Sequence, residues 1–155
     1  MIDAGFLGAG AKGGRVALLQ WSAKYLTGID IIDADHQALF AAINTLHDKL
    51  AANAQKSEIE ATLAMLADYV DGHFGREEAL MEDCDYPDLV EHMGVHRRIS
   101  HQVHDYRTAF EETGGKIDMD DFIEFLGSWL KGHIAMSDAA YIPYVTASDG
   151  RADLR

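Results

Sequence analysis

Cysteine is almost absent from this 155-residue chain: Cys84 is the only one, so no internal disulfide can form and the core itself must hold the fold. Cys84 follows Met81-Glu82-Asp83 with nothing basic beside it to activate the thiol, and it reads as structurally incidental. No run of about 18 apolar residues occurs, so no transmembrane helix is expected. The Gly- and Ala-rich opening, Met1 to Gln20, lacks the basic start and long apolar run of a signal peptide. It is expected to form a partly mobile N-terminal arm, and a cytoplasmic location, which the scarcity of cysteine fits, is expected. Positive charge is scarce: 13 Lys+Arg stand against 26 Asp+Glu, a net charge of −13. Such a surface repels phosphate backbones and anionic headgroups, which argues against nucleic acid and membrane as partners and suits simple solubility. Strand-type alternation of useful length is missing as well.

Helical periodicity is abundant. From about Asp33 to Leu50 the apolar seam includes His36, Leu39, Ile43 and Leu46. From Ser57 to Cys84 it runs through Ile59, Leu63, Leu66, Val70, His73, Glu77 and Leu80. From Asp88 to Glu112 it is Leu89, His92, His96, Ile99, Val103, Tyr106 and Phe110. From Asp118 to Val145 it is Phe122, Leu126, Trp129, His133, Met136 and Ala140. Steps of three and four residues mark packed helical faces. Ser57 and Glu60 have capping-box spacing, Pro87 suits a first helical turn, Gly114-Gly115 closes the third helix and Asp118 can cap the fourth. The short links predict an all-α, up-down-up-down antiparallel four-helix bundle over residues 21–146, with an N-terminal arm (1–20) and a C-terminal tail (147–155).

What interrupts the seams carries the chemistry. His36, His73, Glu77, His92, His96 and His133 occupy core-facing positions on all four helices, and five of the eight histidines are among them. Burying a polar group without a partner costs roughly 2–7 kcal/mol. Several such costs together exceed the net stability of about 5–15 kcal/mol typical of a domain. One lone core histidine is ordinarily just hydrogen-bonded. Two i,i+4 pairs, His73/Glu77 and His92/His96, together with two more seam histidines, point instead to a metal. No H-E-x-x-H run is present, and the donors are too many for one tetrahedral zinc. The Glu-x-x-His pattern of ferritin-like carboxylate sites is missing too.

These segments resemble the bacterial hemerythrins. Trp21, Gly28-Ile29-Asp30 and Asp35-His36 are similar to that family's opening. His73-Phe74-Gly75-Arg76-Glu77-Glu78 resembles its H-F-x-x-E-E motif, and Tyr86-Pro87 with His92 and His96 its Y-P…H-x-x-x-H motif. Trp129 to Ile134 with Asp138 and Tyr141 resembles its closing H-I-x-x-x-D stretch. The likeness spans Trp21 to Tyr144 and leaves the arm unmatched. It implies two non-haem iron ions: His92, His96 and His133 on one, His36 and His73 on the other, with Glu77 and Asp138 bridging. With about six positions on each ion, these donors and a solvent-derived oxo or hydroxo bridge leave one position open, on the two-histidine iron. Dioxygen or a similar small ligand would bind there reversibly.

Asp138 fits a regular helix poorly, because five residues past His133 is about 140° round at about 100° per residue. Either its side chain reaches round or the helix carries a distortion such as a π-bulge between them. Leu39, Phe74, Trp129 and Ile134, beside or one turn from the ligand positions, would line the dioxygen pocket or simply pack the core. His47, His101 and His104 belong to the surface, Glu78 to solvent, and Tyr141 and Tyr144 either to the site's edge or to the end of the bundle. The expected function is a dioxygen carrier, store or delivery protein rather than an enzyme. The alternative is a di-iron enzyme or sensor acting on peroxide, nitric oxide or oxygen, with a protein partner still unidentified. Iron storage is weaker, since a closed histidine site offers no cage for more ions.

Overall fold

Three near-identical turns set the topology. The computed structural model describes residues 17–152, with side chains through Ser148. Its long helices are α1 (Asp30–Ala51), α2 (Lys56–Asp83), α3 (Leu89–Glu112) and α4 (Asp120–Gly132), followed without a break by a π-helical segment (His133–Asp138) and α5 (Ala139–Ala152). After each of α1, α2 and α3 the chain enters the left-handed region, at Asn53 (φ 50°), Asp85 (φ 54°) and Gly114-Gly115 (φ 66° and 83°). There the N–H of Ala54, Tyr86 and Gly115 donates back to the carbonyl of Lys49, Met81 and Phe110, at 2.9, 2.9 and 2.8 Å. This is the Schellman closure, which satisfies terminal carbonyls and turns the chain sharply. The result is the expected antiparallel bundle: α2 packs between α1 and α3, and α4 returns alongside α1.

Helix starts differ in detail from expectation. α2 begins one residue before Ser57, and the Glu58 carboxylate accepts from the Gln55 N–H at 3.2 Å, so the cap sits two residues earlier than the Ser57/Glu60 pair. Pro87 precedes α3 rather than opening it, because Asp88 already supplies the carbonyl that accepts from His92 N–H. Asp118 accepts from Asp120 N–H at 2.9 Å, one residue ahead of the Met119 cap. α1 begins at Asp30, and Asp33 is buried at its foot, accepting from the N–H and hydroxyl of Thr27 at 2.7 and 2.8 Å.

Residues 1–16 of the segment expected to be an arm lie outside the described residues. Of the remainder, Leu19 is 5% exposed, exchanges backbone hydrogen bonds with the Asn44 amide and sits over Gly127. A Cβ at Gly127 would come within 2.8 Å of the Leu19 side chain, so glycine permits the close approach. Trp21, Tyr25 and Phe40 then pack ring on ring with centroids 5.2–5.7 Å apart. At the other end, α5 runs on to Ala152, through residues 147–152 of the expected tail.

The interior has an apolar end and a polar layer. Leu46, Leu63, Leu66, Val103, Phe122 and Leu126 fill the first, at the C-terminal half of α1 and α3 and the N-terminal half of α2 and α4. The histidine and carboxylate positions follow along the same helices. Beyond them a small cluster of Met81, Tyr86, Tyr141 and Val145 closes the bundle.

Candidate metal centre

All seven residues expected as ligands converge and are buried: His36, His73, Glu77 and Asp138 at 0% exposure, with His92 the most accessible at 6%. They form two overlapping groups. In one, donor atoms of Glu77, His92, His96, His133 and Asp138 all lie within 4.8 Å of one another; in the other, those of His36, His73, Glu77 and Asp138 do. Within the first, His96 Nε2 lies 3.0 Å from His92 Nε2, 3.2 Å from His133 Nε2 and 3.1 Å from Glu77 Oε2, and His133 Nε2 lies 2.9 Å from Asp138 Oδ1. Within the second, His36 Nε2 lies 3.3 Å from Asp138 Oδ2 and His73 Nε2 3.5 Å from Glu77 Oε2. Asp138 thus turns one oxygen to each group. Glu77 is shared differently: its Oε2 approaches both His96 and His73, at 3.1 and 3.5 Å, and its Oε1 lies 3.7 Å from His36.

The π segment makes this possible. Its i→i+5 geometry brings Asp138 onto the face of His133, where a regular α-helix would swing it away. The inserted turn also shifts the register beyond it. Met136, expected on the seam, is 76% exposed, and Ala140 is exposed; Asp138, Tyr141 and Val145 face inward instead.

The protein groups alone leave this layer unbalanced. Nδ1 and Nε2 of His36, Nε2 of His73, Oε2 of Glu77 and both oxygens of Asp138 are buried without a hydrogen-bond partner; their close approaches lack hydrogen-bond geometry. Burial pushes the Glu77 carboxyl upward, as does the Asp138 charge, but the His36 and His96 rings outweigh both and lower its pKa to about 2. Burial likewise opposes Asp138, yet His133, His36 and His92 hold it well below the usual carboxylate range. For His36, burial disfavours charge, and the Asp138 and Glu77 carboxylates overcome it, raising the ring's pKa to about 9. Burial lowers that of His73. One imidazolium does not balance two buried carboxylates, and a cation would. The distances agree: neighbouring donors about 2.1 Å from one octahedral ion lie about 3 Å apart.

Outer partners orient the rings. His96 Nδ1 lies 3.0 Å from Glu78 Oε1 and His73 Nδ1 lies 3.4 Å from Asp35 Oδ2. A carboxylate only accepts, so each Nδ1 carries the proton and each Nε2 presents a lone pair to the cluster. Asp35 is held in turn by a two-point contact from Arg76, at 2.6 and 2.9 Å. The Tyr141 hydroxyl, fully buried, donates to Glu77 Oε1 at 2.8 Å. Burial and the Glu77 charge push its ionisation far up, so it remains a donor. Glu78 therefore serves His96 rather than solvent. It lies one residue after Glu77, on the flank of α2 that meets α3, a placement that only the packed helices reveal.

Phe74 stacks on His96 with centroids 3.8 Å apart and planes 5° from parallel, and Trp129 stacks on His133 at 4.4 Å and 18°. With Leu39 these two line a gap of about 10 Å³ closed by Ile43, Leu66, Val70, Ile99, Leu126 and Leu130. Ile134 is buried but is not among the lining residues. His101 is exposed, and His104 pairs with Asp71 at 2.8 Å on the surface.

A helical bundle whose centre is a shared histidine–carboxylate cluster defines a metal-binding helical protein. Comparison with known proteins narrows this. The Hemerythrin HHE cation binding domain matches residues 27–145. The bacteriohemerythrin of Stenotrophomonas maltophilia is 33% identical over 132 residues, covering 85% of this chain and 84% of its own length. That of Methylococcus capsulatus is 32% identical over 133 residues, covering 85% and 100%. A crystal structure of wild-type hemerythrin superposes with a TM-score of 0.76 at 33% identity, covering 83% of this chain and 98% of that one. The chain belongs to the hemerythrin family. Among the described residues no helix is long and apolar enough to cross a membrane.

Proposed function

We infer that the chain is a dioxygen-binding protein rather than an enzyme, with two non-haem irons in the cluster. His92, His96 and His133 hold one ion, and His36 and His73 hold the other. Glu77, Asp138 and a solvent-derived oxo or hydroxo bridge join them. The observation that carries this is the sharing of Glu77 and Asp138 between both donor groups, with Asp138 turning a different oxygen to each. When bound, the ferrous pair supplies the electrons that dioxygen binding needs and takes them back on release.

The chain's own residues make such binding reversible. Asp35 and Glu78 keep the His73 and His96 lone pairs aimed inward. Phe74 and Trp129 fix the His96 and His133 rings by stacking. The apolar gap at Leu39, Phe74 and Trp129 is at the lower limit for one water and offers it no hydrogen bonds. Excluding water there slows irreversible oxidation. Leu39→Ala should therefore shorten the half-life of the oxygenated form severalfold, followed by its visible absorption; an unchanged half-life counts against the gap as the dioxygen pocket.

The test of the function is an absorption spectrum cycled between argon and air. Colour that appears in air and bleaches repeatedly on deoxygenation supports reversible binding. Colour lost at once to an inert ferric form, with sustained turnover of peroxide or nitric oxide when a reductant is supplied, would replace it with the enzyme or sensor reading.

A further inference from the structure

Among the seven donors His92 is the most accessible, at 6% exposure. A surface cleft of about 200 Å³ is lined by Tyr86, Asp88, Glu91, His92, Val95, Ser137 and Ala140. Four other cavities, the gap at Leu39 included, have none of the seven in their walls. His92 is 94% buried and yet lines this cleft; its Nε2 faces the cluster, and no hydrogen bond ends on its Nδ1. Asp88 and Glu91 are exposed and, among the described residues, make no salt bridge through their carboxylates. The contrast with the gap at Leu39 is chemical: that gap is lined by apolar side chains alone, whereas this cleft carries two carboxylates, an imidazole and a serine hydroxyl beside its apolar residues.

We propose that this cleft is the port through which a divalent cation, ferrous iron, enters and leaves the buried centre, with Asp88 and Glu91 capturing the hydrated ion and His92 accepting it from them. The inference rests on the cluster being a metal centre. A dication cannot cross the apolar end without losing its hydration at high cost. At the cleft it meets two unpaired carboxylates first and an imidazole next. Fields from such low-dielectric, single-sign clefts raise association rates by 10–10³-fold and fade with added salt.

The test is ferrous loading of the full-length, iron-stripped protein without air, timed by stopped-flow and ended by an iron count. Asp88→Asn/Glu91→Gln should load about tenfold more slowly at low ionic strength, lose most of that difference at high salt, and still finish at the same iron content as the unaltered chain. A bulky plug, Ala140→Trp, should slow loading at every salt concentration and slow release from loaded protein to a ferrous chelator. The release arm reads the same route even if stripping loosens the helices, which far-UV circular dichroism would reveal. Loading and release at unaltered speed in both variants would overturn the port while leaving the centre intact. Failure of the unaltered chain to take up two irons would overturn the di-iron reading and the port with it.

Discussion

At one end of the bundle Leu46, Leu63, Leu66, Val103 and Phe122 meet at the axis; further along the same four helices, His36, His73, Glu77, His92, His96, His133 and Asp138 do. Both layers are equally buried, but their energetics are opposite. The apolar layer is complete in itself, since each side chain finds its partners in its neighbours. The polar layer leaves six buried atoms unpartnered and a surplus of negative charge. One end folds the chain, and the other needs an ion before it is balanced. Stability and metal content should therefore separate along the bundle axis.

Stripping the iron tests this most strongly. It should lower the unfolding free energy by about 4 kcal/mol or more, the linkage expected of an ion held a thousandfold below its working concentration; equal denaturant midpoints with and without iron would erase the contrast. Next in size, Leu66→Ala should cost about 2–5 kcal/mol by opening a cavity in the apolar layer, while iron per chain stays unchanged. Loss of iron in this variant would mean that the two ends are not separable. Glu78→Gln should then leave thermal unfolding of the iron-free chain nearly untouched but weaken iron retention about tenfold, as removal of an outer partner of a ligand does. Retention equal to that of the unaltered chain in a chelator competition would return Glu78 to the solvent-facing role its sequence position suggests. Smallest of all, Lys56→Ala breaks the exposed 2.7 Å pair with Glu60 and should shift stability by less than about 0.5 kcal/mol, with no change at the metal. A larger shift would mean that the helix start contributes more than an exposed i,i+4 pair does.

Much of this was legible without coordinates, for a definite reason. Histidine on an apolar seam is conspicuous, and steps of three and four residues placed His36, His73, Glu77, His92, His96 and His133 on inward faces, where the structure has them buried. Asp138 could be reached only through the family likeness together with an expected helix distortion, and the π segment is that distortion. The same segment explains why Met136 and Ala140 were misplaced: a periodic reading carries an α-helical register straight through a turn that does not keep it. Glu78 and Asp35 were harder still. Their roles depend on which neighbouring helix each flank meets, and one helix's periodicity holds no record of its neighbours. Leu19, within the expected arm, escaped notice because its anchors are remote in sequence: the Asn44 amide on α1 and a glycine on α4 more than a hundred residues away.

The sharing of Glu77 and Asp138 between two donor groups is the centre of this account, and iron counting combined with electron paramagnetic resonance on the air-oxidised protein tests it most directly. Two irons per chain with no ferric signal, the mark of two spins coupled through common bridges, is the predicted result. One iron per chain, or two that each give an isolated ferric signal, would contradict it.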